Sequence, residues 1–208
     1  MKQNAIQKKT FFVTIKCMNT LKKKIAVLVS GGVDSSVALA LLKQQGHDVT
    51  AFYLKIWLED ELSYLGSCPW NDDLQFVQAV CAQLNVPLEI VSMQQVYHEK
   101  VVSYMLKEIE QGRTPNPDIL CNQQVKFGAF YDVIDASFDF VATGHYAQVQ
   151  HHPEISILKK GKDPIKDQTY FLWTLKNELL SSILFPVGRF EKKKVREIAE
   201  EAGLPVAS

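Results

Sequence analysis

Residues 25–36 read Ile25-Ala26-Val27-Leu28-Val29-Ser30-Gly31-Gly32-Val33-Asp34-Ser35-Ser36. The first five are aliphatic without polar alternation, the pattern of a strand buried on both faces of a parallel sheet. Two adjacent glycines follow. Apolar residues then return at helical spacing in Val37-Ala38-Leu39-Ala40-Leu41-Leu42, and Gly46 closes that helix. A buried strand turning directly into a helix leaves the first helical N–H groups at the strand's C-terminal edge. Those free donors and the helix dipole both favour an anion there. Gly31 and Gly32 would let the backbone approach phosphate oxygens. Ser30, Ser35 and Ser36 would add hydroxyl donors. Asp34 is an acceptor among donors, able to orient the loop or to hold a Mg2+ that screens phosphates. The loop lacks the Gly-Lys-Ser/Thr ending of a Walker A sequence and does not follow G-x-G-x-x-G.

Outward from this loop the chain alternates. Residues 49–56 predict a second strand, 73–84 a helix, 86–91 a third strand and 95–110 a longer helix that stops at Gly112. Residues 138–142 predict a further buried strand and 155–158 a short hairpin strand. Helices are expected over 168–175 and 191–202. Strands alternating with helices in this order predict an α/β fold, a doubly wound parallel sheet.

The length of 208 residues suits one such domain. Lys+Arg and Asp+Glu are balanced at 23 each, so net charge supplies no pull toward nucleic acid, and an RNA partner would need local patches. The first 33 residues carry seven lysines and no acidic residue. Residues 1–22 are read as a flexible basic extension, with an organelle transit segment as the alternative, and 23–208 as the domain proper. No apolar run approaches the ~18 residues of a membrane span, and Phe11-Phe12-Val13-Thr14-Ile15 is too short for a secretory core. Of the four cysteines, Cys17, Cys68, Cys81 and Cys121, no pair has CxxC spacing. Zinc and thioredoxin-like readings are therefore weak, and free thiols in a reducing compartment are expected.

The segment from Gly112 to Phe127 reads G-R-T-P-N-P-D-I-L-C-N-Q-Q-V-K-F. Its two prolines stiffen a loop that could hold reactive groups. Asp118 and Cys121, three apart at a helix start, would share a face. A thiol near a helix N-terminus is favoured as thiolate, and Asp118 could shuttle a proton. Asp118 also reads as the cap of the helix, and Cys121 as a small buried apolar residue. A carboxylate too close to the thiol would oppose its ionisation.

S-G-G-x-D-S-S resembles the PP-loop of the ATP pyrophosphatase superfamily, whose members adenylate a substrate oxygen and expel pyrophosphate. P-N-P-D-I-L-C-N lies about 80 residues later, and T-G-H-Y at 143–146 and K-D-Q-T-Y-F-L at 166–172 follow it. Together they resemble the tRNA-specific 2-thiouridylases, the MnmA-like enzymes, over roughly residues 23 to 208. The resemblance implies a fold of the adenine-nucleotide alpha-hydrolase (HUP/PP-loop) type. It implies an ATP site lined by Leu28, Val29, Ser30, Gly31, Gly32, Val33, Asp34, Ser35, Leu54 and Gly144. It places Asn116, Pro117 and Asp118 around a flipped-out target uridine, since C2 cannot be reached in a stacked base. His145, Lys166, Asp167 and Gln168 would touch tRNA, and Cys121 would be one of two catalytic cysteines, with Asp118 beside it.

The implied reaction is 2-thiolation of the wobble uridine, U34, in tRNA for Lys, Glu and Gln. ATP, with Mg2+ as an accompanying ion, would adenylate O2. A cysteine persulfide, fed by a sulfur-carrier protein or a cysteine desulfurase relay, would deliver sulfur. The family carries its second cysteine in a D-S-x-G-I-C segment, which would come after Ser208. The chain is therefore read as an N-terminal portion that binds ATP but does not thiolate tRNA alone. Alternatives are a PP-loop ligase or amidotransferase and a non-catalytic tRNA-binding domain. A bacterial cytoplasm is expected, with mitochondrion or plastid as alternatives.

Other residues receive plainer readings. Tyr170, Phe171 and Trp173 are expected to pack into the core. Cys81 is expected in the core and Cys68 on a loop. His151-His152 reads as a solvated turn. Lys192-Lys193-Lys194 with Arg196 forms either a solvated basic face or a phosphate-contacting patch.

Overall fold

A computed structural model describes residues 21–56 and 69–206. The basic stretch through residue 20, Cys17 and Cys68 lie outside the described residues. The elements are strand β1 (Lys24–Val29), helix α1 (Val33–Gln44), β2 (Asp48–Lys55), α2 (Pro69–Leu84) and β3 (Leu88–Ser92). A helical run follows: α3 (Gln94–Tyr97), a π-helical turn (His98–Val102) and α4 (Ser103–Glu110). A second run contains α5 (Pro117–Leu120), a longer π-helical segment (Cys121–Ala129) and α6 (Phe130–Val133). Then come β4 (Phe140–Ala142), β5 (Ala147–His151), β6 (Ser156–Lys160), a 3-10 turn (Thr169–Leu172), α7 (Asn177–Leu180), β7 (Ile183–Leu184) and α8 (Lys192–Glu201).

Five strands form one sheet in the order β3-β2-β1-β4-β7, with every pair parallel. Side chains alternate across a strand, and β1 shows what that does here. Ile25, Val27 and Val29 join one apolar cluster with Val37, Leu41, Val195 and Ile198, so α1 and α8 cover that face. Ala26 and Leu28 join a second cluster with Val101, Val125, Phe127, Phe130 and Ile183 on the opposite face. Both faces of β1 are covered, which is why its sequence shows no polar alternation. Burying each such aliphatic side chain contributes roughly 1.5–3 kcal/mol. The doubly wound parallel sheet expected from the sequence is the observed fold.

One expectation is met and two are corrected. The piece at 155–158 is β6, paired antiparallel with β5 in the hairpin expected of it, Ala147 opposite Lys160. The helix expected over 168–175 is a 3-10 turn of four residues. In consequence Tyr170 and Trp173 stand 64% and 67% exposed, while Leu172 is buried. A 3-10 turn repeats every three residues. Leu172 and Leu175 therefore face inward, and Tyr170 and Trp173, also three apart, face outward. Cys81 is in the core as expected, with its thiol pushed up to about 11 by burial.

The sheet order reverses between β1 and β4: from β1 the chain moves to β2 on one side and returns to β4 on the other. In open α/β sheets, ligands bind at that switch, beyond the strands' C-terminal ends. Val27 pairs with Ala142 in register. The loops leaving these two strands, 30–32 and 143–146, are thus set side by side.

Candidate functional site

The first of these loops is Ser30-Gly31-Gly32. Gly31 has φ +81, and a Cβ there would lie 2.8 Å from the backbone oxygen of Asp73 on α2. A side chain is therefore excluded both by conformation and by space. Gly32 occupies the N-cap of α1, and no side chain caps that helix. Its first amides are left for water or an anion, backed by the dipole of a 12-residue helix.

The serines divide. The Ser35 and Ser36 hydroxyls both donate to the carbonyl of Gly32, at 3.1 and 3.0 Å, and both residues are buried. Ser35 Oγ also accepts from the backbone N–H of Ser30 at 3.2 Å. These two hydroxyls brace the loop and do not reach outward as the sequence reading expected. Ser30 is the exposed one.

Asp34 serves the orienting role. Its Oδ1 accepts from the Tyr146 hydroxyl at 2.8 Å and from Lys192 Nζ at 2.6 Å. Tyr146 is 2% exposed, and burial followed by the nearby Asp34 charge pushes its phenol far up, so it remains a neutral donor.

The second loop, Thr143-Gly144-His145-Tyr146, lies directly on the first. A Cβ on Gly144 would come within 2.6 Å of the Ser35 backbone nitrogen and 2.9 Å of Ser35 Cα. His145 points the other way. Its ring is 6.3 Å from Phe127, in the π-helical segment after Cys121, and 6.0 Å from Phe185. Nδ1 is 2.6 Å from Thr143 Oγ1. Part of the residue's surface reaches solvent, yet the ring is closely surrounded. Burial, then the Lys126 charge, lowers its pKa to about 3. At neutral pH it is an uncharged imidazole, so any RNA contact it made would be non-ionic.

The segment from Gly112 to Phe127 builds the cysteine side. Asn116, not Asp118, caps the helix: its Oδ1 accepts from the Ile119 N–H at 3.3 Å, and Pro117 takes the first helical position. Asp118 is thereby released from capping and is exposed in the first turn. Cys121 is half-buried where α5 passes into the π-helical segment, a geometry frequent at functional sites. Its thiol is pushed above the ordinary value, first by burial; Lys126 opposes that shift and Asp118 adds to it. The thiolate expected from a helix N-terminus is therefore not favoured in this state. Asn122, next in the chain, is 2% exposed. It donates to the Phe171 carbonyl at 3.2 Å and accepts from Lys126 Nζ at 3.1 Å.

The last expected group is Lys166-Asp167-Gln168. Gln168 accepts from the Tyr146 N–H through Oε1 and donates its own N–H to the Tyr146 carbonyl, both at 2.9 Å. Asp167 accepts from the Gly161 and Thr169 amides. The Gln168 side chain thus holds the second loop in place, Asp167 ties residue 161 to the start of the 3-10 turn, and Lys166 is the exposed member. Leu54 lies near the C-terminal end of β2, partly buried beside Phe52 and Val91.

Sequence did not single out Tyr97, and it read Lys192 only within the basic run, without its partner. Tyr97 on α3 sits close enough to Cys121 and Asp118 for both to raise its phenol, after burial. Lys192 reaches Asp34 from α8. Neither the place of Tyr97 nor the Lys192–Asp34 pairing has a local pattern that could announce it.

Residues 23–208 match the family described as tRNA methyl transferase HUP domain. The chain is 46% identical over 185 residues to the tRNA-specific 2-thiouridylase MnmA of Legionella pneumophila (strain Paris), covering 88% of this chain and 51% of that protein. It is 48% identical to the enzyme of the same name from Halalkalibacterium halodurans, covering 88% and 49%. The chain thus spans about half the length of the curated relatives it matches. Among solved structures, the U34-tRNA thiolase NcsA from Methanococcus maripaludis superposes with a TM-score of 0.53 at 16% identity, covering 88% of this chain and 58% of that one. A 4-thiouridine synthetase in complex with RNA and ATP gives 0.54 at 15%, covering 89% and 42%. At those identities the likeness speaks for the fold alone.

Proposed function

The chain belongs to the tRNA methyl transferase HUP-domain family, and we propose that it is the ATP-binding and uridine-binding portion of a tRNA 2-thiouridylase acting on U34. One observation carries the reading. The four residues 143–146 touch the phosphate loop through Gly144 and Tyr146, and the cysteine-bearing segment through His145 and Phe127. A nucleotide on the loop and a base beside Cys121 would share this wall.

In this account the amides at the start of α1 and the Ser30 hydroxyl take the phosphates. Leu28, Val29, Gly31 to Ser35, Leu54 and Gly144 line the nucleotide. Asn116, Pro117 and Asp118 surround the extruded uridine, with His145 and Lys166 toward the tRNA, and Asp167 and Gln168 shaping that surface. Uracil O2 attacks the α-phosphorus, an O–P bond forms and pyrophosphate leaves. The terminal sulfur of a persulfide on a second cysteine then adds at C2, and the C2–O bond breaks with AMP as leaving group, a far better one than the original oxygen. The Cys121 thiolate attacks the inner sulfur of that persulfide; the S–S bond to the transferred sulfur breaks, a disulfide between Cys121 and the second cysteine forms, and the sulfur stays on C2. The second cysteine comes from beyond this portion, and a sulfur-carrier protein or desulfurase relay loads its persulfide. tRNA for Lys, Glu and Gln in a bacterial cytoplasm would be the setting.

Among the described residues no helix is long and apolar enough to cross a membrane. For Mg2+ the loop offers one carboxylate, Asp34, whose Oδ1 already accepts two bonds. The described residues therefore do not fit a resident metal, and an ion arriving with ATP would ride on the phosphates.

The test is pyrophosphate release from ATP in the presence of transcribed tRNA carrying U34 or C34 at the wobble position. U34-dependent pyrophosphate release supports the proposal. ATP turnover blind to the wobble base would move the chain to the ligase class.

A further inference from the structure

The basic run at the start of α8 is not a uniform solvated stripe. Lys194 pairs along its own helix with Glu197 and Glu201, at 3.0 and 3.8 Å, and is 44% exposed. Lys192 turns the opposite way. Its side chain is only 19% exposed, and Nζ reaches Asp34 Oδ1 at 2.6 Å, 5.9 Å from the centre of the Tyr146 ring. Its backbone N–H is fixed by Asp163 Oδ2 at 2.8 Å, and Asp163 is itself buried. One helical turn later on the same face, Arg196 lines a cleft of about 440 Å³ with Gly31, Gly32, Val33, Phe76 and Pro205. Among the described residues, Arg196 has no ion-pair partner. Val195, Ile198 and Ala199 are buried in the core, so the helix that carries both cations is fixed against α1.

Charge explains why a phosphate loop would need them. The loop's own donors are neutral amides and a hydroxyl, and Asp34 adds a negative charge beside them. A triphosphate entering such a site meets repulsion unless cations face it. Positive side chains in the first turn of a helix also oppose its dipole, so folding alone gives little reason to place Lys192 there.

We propose that Lys192 and Arg196 form the cationic wall of the polyphosphate site, contacting the β- and γ-phosphates of the bound nucleotide. In the structure Asp34 holds the Lys192 ammonium in reserve. An arriving polyphosphate takes that ammonium from the carboxylate, and Arg196 faces the same phosphates from the cleft. Asp34 keeps its bond from Tyr146, so the loop stays oriented through the exchange. This rests on the nucleotide reading above.

The experiment is calorimetric titration of the chain with ATP, AMP and inorganic pyrophosphate, in wild type, Lys192→Gln, Lys192→Arg and Arg196→Gln. Each Gln variant is expected to bind ATP and pyrophosphate about tenfold more weakly, the loss of one charge-assisted contact, with AMP affinity unchanged. Lys192→Arg is expected to retain most of the pyrophosphate affinity, and Arg196, being exposed, can be replaced without disturbing the core. Wild-type affinity for ATP and pyrophosphate in both Gln variants overturns the proposal. So does a parallel loss of AMP, which would make Lys192 a purely structural tie between α8 and α1. If wild type binds ATP and pyrophosphate and neither Gln variant weakens them, this inference fails while the nucleotide reading stands. If wild type binds neither, both fail.

Discussion

The hydroxyl of Tyr146 donates to Asp34 across 2.8 Å, tying the loop after β4 to the first turn of α1. The bond joins residues 112 positions apart and closes the switch point between β1 and β4. Tyr146→Phe keeps the buried ring and removes only this bond. The expected cost is about 1 kcal/mol of stability, with ATP affinity falling by up to about fivefold, the equivalent of that energy. Urea unfolding and ATP titration check it together. Unchanged values in both would show that the bond does not hold the loop.

Gly144→Ala tests the contact between the two loops more severely. The new Cβ would meet backbone atoms of Asp34 and Ser35 at 2.6–2.9 Å, and backbone cannot swing aside as a flexible side chain can. The loops must part, at a cost of roughly 1–3 kcal/mol, and the amides at the start of α1 lose their setting. ATP binding is expected to drop well below that of Tyr146→Phe. An Ala variant with wild-type melting and binding would contradict the packing described.

Cys121 offers a test that needs no substrate. Burial and Asp118 hold its thiol above the ordinary range while Lys126 works against them. Alkylation followed by peptide mass spectrometry should find Cys121 slow at pH 7 and faster as pH rises, since the thiolate is the nucleophile. Asp118→Asn should speed modification at fixed pH, and Lys126→Gln should slow it. Cys81, more deeply buried with its thiol at about 11, should remain unmodified longest of the two. Faster labelling of Cys121 than of a free peptide thiol would show that the site activates it without a partner.

His145 makes stability depend on pH. Its folded pKa, about 3, lies below the ordinary 6.5, so the unfolded chain binds a proton that the folded chain refuses. Its stabilising effect is complete above about pH 6.5 and is lost as pH falls from there toward 3, by at most about 1.4 kcal/mol per pH unit from one group. The lowered carboxylates, Asp139 and Asp163 among them, add losses only below their ordinary value of 3.8. Between pH 6.5 and 5 the melting temperature should therefore decline in wild type and decline less steeply in His145→Gln, where His47 and His151, also lowered by burial, supply the remaining slope. Equal slopes would mean that the imidazole is solvated.

Much of this site was legible along the chain because its signals are local. The apolar run of β1, the two glycines and the Asn-Pro pair at a helix start each act within a few residues. The Asn116 cap was within reach too, but Asp118 is the commoner reading two residues on, and only the position of Pro117 decides between them. What escaped is long-range. Lys192 meets Asp34 across 158 positions, and no periodicity encodes such a pairing. Tyr170 and Trp173 misled because aromatic residues at i and i+3 suit a core-facing helix, whereas the turn is 3-10 and gives its inward face to Leu172 and Leu175. The thiol of Cys121 misled for the same kind of reason: a helix start lowers a thiol's pKa, and the burial that outweighs it comes from distant chain.

The most direct measurement is ATP-dependent formation of 2-thiouridine at U34 of transcribed tRNA for Lys. It would use this chain, wild type or Cys121→Ser, joined to the C-terminal half of a related 2-thiouridylase and supplied with a persulfide donor. The account predicts thiolation with wild type, none with Cys121→Ser, and none from either chain without the added half. Thiolation that survives Cys121→Ser, or its absence in the joined wild type while ATP is still bound, would contradict the account.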